Sequence, residues 1–140
     1  MFRTSLALLC LVAIGSGALF AQTPPYGGYA NSQYSSGTSA SDYIQSFWLK
    51  QGTTDLISNP NTGPSASPWN TFYSAITPAN LSPGTQYTLE LLMTASYAEY
   101  NKAWIDYNND GAFDNTTEVL NTTPVYAAAG ATAQINFTPP

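Results

Sequence analysis

The sequence predicts an all-β fold, an antiparallel β-sandwich of the jelly-roll or Ig-like kind. Short runs rich in aromatic and aliphatic residues recur between Gly, Pro, Asn and Ser turn signals. The clearest of them alternates apolar and polar residues, the period of two that a half-buried strand imposes. Beyond the N-terminal residues, no window of a dozen residues carries the 3.6-residue apolar stripe of an amphipathic helix.

The chain starts with a segment that reads as an address rather than a structure. Arg3 supplies a positive start, Leu6 to Ile14 is an apolar run, and small residues lead to Ala21. This is the layout of a secretory signal. It is too short to span a bilayer, which needs about 20 apolar residues. The expected division is a signal peptide over 1–21, a flexible Gly-, Ser- and Tyr-rich leader over 22–41, and a β-rich body over 42–140. Loss of the first 21 of 140 residues leaves 119, removes one of three basic groups and the sole cysteine, Cys10, and moves the net charge from -5 to -6. The mature chain then has no disulfide and no membrane span, and is expected outside the cell or at its surface. The leader has no apolar periodicity and too little apolar surface to offset its ordering entropy.

Within the body, Tyr43 to Leu49 reads as a first strand and Asp55 to Ser58 as a short second one. Asn59 to Ser67 is a loop by composition. Trp69 to Ile76 is a third candidate. Ser82-Pro83-Gly84 has the form of a type II turn, where Pro fixes the first central φ and Gly accepts the positive second one. Gln86 to Thr94 follows, with Tyr87, Leu89, Leu91 and Met93 on one face and Thr88, Glu90 and Thr94 on the other. Lys102 to Tyr107 reads as another strand, then Glu118 to Leu120 and Gln134 to Thr138. Glu99 is expected in a loop and Glu90 as a solvated acid.

Composition excludes much chemistry. The chain has no histidine, so a Ser-His-Asp triad, a Cys-His pair and a His-ligated zinc are ruled out. No nucleophile elbow or phosphate-cradling glycine loop occurs. The expectation is a non-enzyme. Three basic residues cannot form the patch that nucleic acid requires.

One segment concentrates the acids. Asp106 to Glu118 reads DYNNDGAFDNTTE and holds four of the chain's eight carboxylates. Oxygen side chains alternate at Asp106, Asn108 and Asp110, and Gly111 follows where a tight loop must turn sharply. Calcium takes six to eight oxygens at about 2.3–2.6 Å, and a curved loop supplies them from alternate residues. The predicted ligands are Asp106, Asn108, Asp110, the Ala112 carbonyl, Asp114 and Glu118, holding one structural Ca2+. The pattern departs from an EF-hand, because the twelfth position is Thr117 and the preceding element is a strand. The alternative is a hydrophilic hairpin loop with a tight Asp-Gly turn. Clustered carboxylates repel one another without a cation.

The stretch Trp104 to Asp114 with Glu118 resembles the WIDxNxDGxFxxxxE signature of GEVED domains. Tyr34-Ser35 resembles the family's opening Tyr-Cys, with Ser in place of Cys. Tyr43-Ile44, Phe47 and Leu49 resemble its first strand, and Leu81 to Leu89 resembles its L-x-P-G-x-x-Y-x-L segment. The resemblance implies a β-rich module of a secreted bacterial protein, accessory or adhesive in role and attached to further domains such as a protease. The Gly-Glu-Val-Glu-Asp motif that names the family lies further downstream, whereas this sequence stops at Pro140. The expectation is therefore a truncated copy whose sheet lacks closing strands and exposes an edge.

A second reading is a carbohydrate-binding module, with Trp69, Tyr73, Tyr97 and Tyr100 as candidate sugar contacts and a cell-surface glycan or protein as partner. Three coplanar exposed rings would favour it, and buried scattered rings a structural module. Trp104 is expected in the core. The sequons at Asn80, Asn115, Asn121 and Asn136 carry no weight in a bacterial protein.

Overall fold

A computed structural model describes residues 42–64, 73 and 75–140. The expected signal and leader, and Trp69 with most of the candidate strand around it, lie outside the described residues. Among those described, there are six strands and no helix: β1 (Ile44–Gln51), β2 (Thr54–Asn59), β3 (Tyr87–Met93), β4 (Glu99–Asn101), β5 (Val125–Ala127) and β6 (Thr132–Phe137). The described residues are all-β, with an antiparallel four-stranded sheet in the order β2-β1-β3-β6 packed against an antiparallel pair, β4-β5. This is the architecture of a β-sandwich. Among the described residues no helix is long and apolar enough to cross a membrane.

Strand β3 is the axis of the large sheet. It pairs with β1 on one side, Leu89 opposite Leu49, and with β6 on the other, Leu89 opposite Ile135. Its alternation is the predicted one: Tyr87, Leu89, Leu91 and Met93 are buried, and Thr88, Glu90 and Leu92 are half-exposed. Leu92, the one break in the apolar-polar pattern, lies on the outer face. Strand β6 repeats the period, with Ala133, Ile135 and Phe137 inward and Thr132, Gln134 and Asn136 outward. The type II turn forms as expected, with Gly84 at φ 73 and the Thr85 amide donating to the Ser82 carbonyl at 3.2 Å. The Tyr87 hydroxyl accepts the Ser82 amide at 2.8 Å and ties the turn to β3.

The outer face is polar and cross-linked by side chains. Lys50 on β1 bridges to Glu90 on β3 at 2.7 Å and to Asp55 on β2 at 3.8 Å. Glu90 also accepts a bond from Gln134 Nε2 at 3.0 Å. The opposite face is the core, where Phe47, Leu49, Ile57, Leu89, Leu91, Ile135 and Phe137 pack with Ala103, Ile105 and Ala127 of the second layer.

Three sequence expectations change. Lys102 to Tyr107 is not a regular strand; only Trp104 pairs, in an isolated bridge with Val119. Glu118 to Leu120 is likewise reduced to that bridge. Glu99 is not in a loop but on β4, and it is 1% exposed. The two arms do pair, with a fault between them. Tyr100 lies opposite Tyr126 and Trp104 opposite Val119, so the three residues between them on the first arm face six on the second. Three extra residues bulge outward, and a ladder with such a bulge loses its regular hydrogen bonds. The side chain of Asn121 replaces them: its Oδ1 accepts the Ala103 amide at 3.0 Å, and its Nδ2 donates to the carbonyls of Asn101 at 2.9 Å and Thr123 at 3.1 Å.

Candidate metal centre

Beyond the bulge the arms close again. The Leu120 amide donates to the Ala103 carbonyl at 2.8 Å and the Ile105 amide to the Glu118 carbonyl at 2.9 Å. The acidic segment is therefore the tip of one long irregular hairpin, and its two ends, Asp106 and Glu118, are neighbours at the mouth of the loop. Both side chains are buried, at 1% and 2% exposure. A carboxylate leaves water only where hydrogen bonds or opposite charge compensate.

The compensation visible here is backbone amides. Asp106 accepts from the Asp110 amide through Oδ1 at 3.2 Å and from the Gly111 amide through Oδ2 at 3.0 Å. The loop thus curls around its own first residue. Asn109 at φ 56 and Gly111 at φ 82 adopt the left-handed backbone that this curl needs. Glycine at 111 was legible as the turning point; Asn109 was not, although Asn tolerates that region better than most residues. Asn108 Oδ1 accepts the Asp110 amide at 2.8 Å, and its Nδ2 donates to Asp110 Oδ2 at 3.0 Å. Asp110 Oδ1 accepts the Ala112 amide at 2.9 Å. Glu118 spans the loop, with Oε1 accepting the Asn108 amide at 3.4 Å and Oε2 the Asp114 amide at 2.9 Å.

Of the six predicted ligands, Asp106, Asn108, Asp110 and Glu118 are tied into one hydrogen-bonded loop. Ala112 is exposed on it. Asp114 faces elsewhere: its Oδ1 accepts the amides of Thr116 at 2.6 Å and Thr117 at 2.7 Å, and the Thr117 hydroxyl at 3.1 Å. These donors, Thr117 first, hold its carboxyl below the usual carboxylate range. Among the described residues no three Asp, Glu, His or Cys side chains gather closely enough to grip an ion by themselves. The donor set nonetheless fits a hard cation in chemistry, since it is all oxygen and includes an amide and a backbone carbonyl as well as carboxylates. Asp106 and Glu118 would form its buried base, and Asn108 and Asp110 its outer wall.

Tyr107 sits beside this base. Burial, then the negative charge of Glu118, pushes its hydroxyl up to about 12. Trp104 lies beneath the loop, 8% exposed, as the sequence led one to expect.

Residues 100–140 match the family model of the GEVED domain. The matched stretch contains the acidic loop, where the sequence resemblance to that family was strongest. No curated protein and no solved structure matches the chain. The GEVED match includes the whole loop, the bulge with Asn121, β5 and β6. The first sheet strands, β1 to β3, lie outside it.

The aromatic candidates are spread over the molecule. Tyr73 is half-buried, its ring 5.6 Å from Phe47. Tyr100 stacks with Tyr126 across β4-β5 at 5.3 Å, but the rings are inclined by 56°. Tyr97 and Tyr126 are 47% and 53% exposed. Among the described residues these two are the exposed large aromatics, and Trp69, the remaining candidate, lies outside them.

Proposed function

We propose that the protein is a secreted, non-catalytic β-module whose hairpin tip holds one structural calcium ion, and that it serves as an accessory or adhesive part of a larger secreted protein. The carrying observation is the loop from Asp106 to Glu118, which curls around a buried carboxylate and brings a second buried carboxylate to the same mouth. Such a loop is a costly way to build a plain turn. Burying two acids side by side is unfavourable unless positive charge or many donors offset it. A divalent cation turns that repulsion into attraction and would pin the two ends of the loop to each other.

Secretion rests on the n-terminal signal pattern, and the accessory role on the GEVED family. Neither the missing histidine nor the acidic balance leaves an obvious place for catalysis.

Calcium that binds only the folded chain must raise its melting temperature, by about 2.7 kcal/mol of stability at a hundredfold excess over Kd. Asp110→Ala is expected to abolish that shift while the chelated variant melts close to the chelated parent. A folded, chelator-treated protein that shows no heat of calcium binding in calorimetry rejects the reading.

A further inference from the structure

The loop has a second fixed point that none of its acids provides. Trp104 Nε1 donates a hydrogen bond to Asn115 Oδ1 at 3.0 Å. The indole is itself immobilised: its residue forms the bridge with Val119, the Lys102 ammonium lies 5.4 Å from its centroid, and the Phe113 ring lies 6.4 Å away at 40°. Trp104 on the first arm therefore grips both neighbours of Asp114, Phe113 by ring contact and Asn115 by a hydrogen bond.

What Asn115 belongs to gives the bond its consequence. It is the first residue inside the turn closed by the Glu118 amide on the Asp114 carbonyl at 3.2 Å. That turn delivers Glu118, whose two oxygens bind the Asn108 and Asp114 amides. An unbroken sequence of contacts runs from the indole through Asn115 and the turn to the Glu118 carboxylate, and on to the front of the loop. The front half is shaped by Asp106; the back half has Trp104 as its anchor.

We propose that Asn115 is a positioning residue for the cation loop, latching its back half to Trp104 so that Glu118 is held ready opposite Asp106. This rests on the calcium reading given above. Asn115 lies outside the ligand set, and its sequon context gives no hint of such a role. A hydrogen bond of ordinary strength that is spent on preorganisation translates into affinity about tenfold.

The test is calorimetric titration of calcium into the full chain and into Asn115→Ala, Trp104→Phe and the double variant, all compared by circular dichroism in chelator. Trp104→Phe keeps an aromatic ring and removes the Nε1–H donor together with part of the indole's buried area. Each single variant should keep its fold and its one-ion stoichiometry and lose affinity about tenfold. The double variant should lose no more than the larger of the two single losses, because both remove the same bond. Additive losses, or an Asn115→Ala chain that binds as the parent does, overturn the latch while leaving the calcium reading in place. A parent chain that takes up no calcium overturns the calcium reading and the latch with it.

Discussion

The two layers are built on opposite plans. The four-stranded sheet is held by repetition: every second residue of β3 and β6 enters one apolar face, and the ladder satisfies the backbone. The hairpin from Glu99 to Ala127 is held by exceptions. Its ladder breaks at a three-residue bulge, and Asn121, Asp106, Asp114 and Glu118 supply the acceptors and donors that neighbouring strands would otherwise give. The sheet spends apolar side chains on stability. The hairpin spends polar ones on shape, and shape is what a binding loop needs.

This contrast can be broken at its strong end first. Leu89 is fully buried at the crossing of β1, β3 and β6, so Leu89→Ala should cost about 2–5 kcal/mol. Chemical denaturation would measure it, and a cost below that range would mean the core is looser than its burial implies. Asn121→Ala leaves the Ala103 amide and the Asn101 carbonyl without their partner, an expected loss of about 1–3 kcal/mol. That loss should be accompanied by faster amide exchange in the hairpin but not in β3, which would separate the two layers directly.

A smaller effect comes from Tyr107. Its raised hydroxyl keeps the neutral form favoured in the folded chain, so the associated stability is complete below the unfolded value near 10. It is lost as pH rises from there through about 12. Ultraviolet titration of Tyr107→Phe against the parent should remove one late-ionising tyrosine, and the pH dependence of melting between those values should flatten. Calcium placed beside Glu118 would offset part of the charge that raises this group, so the same titration with the ion present should move its ionisation down. The least effect is expected on the outer face. Lys50→Ala removes the ion pairs to Glu90 and Asp55, but exposed pairs contribute little. Its melting temperature should shift marginally, and less in high salt.

The sheet was largely legible in the sequence, and the hairpin only in its chemistry. Strands β1, β2, β3 and β6 are six to eight residues long, enough for aromatic enrichment or alternation to register. Strands β4 and β5 have three residues each, too few to show a period of two. Their pairing depends on contacts made across the acidic loop. The residues Lys102 to Tyr107 look like a strand because Trp104 and Ile105 are apolar and buried. They fail to be one because the opposite arm carries extra residues whose place only the folded hairpin defines. For the same reason the sequence points to a loop at Glu99; nothing in Tyr-Ala-Glu-Tyr announces that an acid will face the core.

The sequence by itself determined the fold class, the inward face of the central sheet, the turn at Gly84 and the concentration of oxygen donors between Asp106 and Glu118. Each follows from residue type and short spacing, which act within a few positions along the chain. Tertiary structure alone decided that Asp106 and Glu118 meet at one mouth, that Asp114 caps its own turn, and that Trp104 reaches Asn115. Those depend on the register of two arms separated by the whole loop, and register is fixed by packing against the sheet rather than by neighbours in sequence.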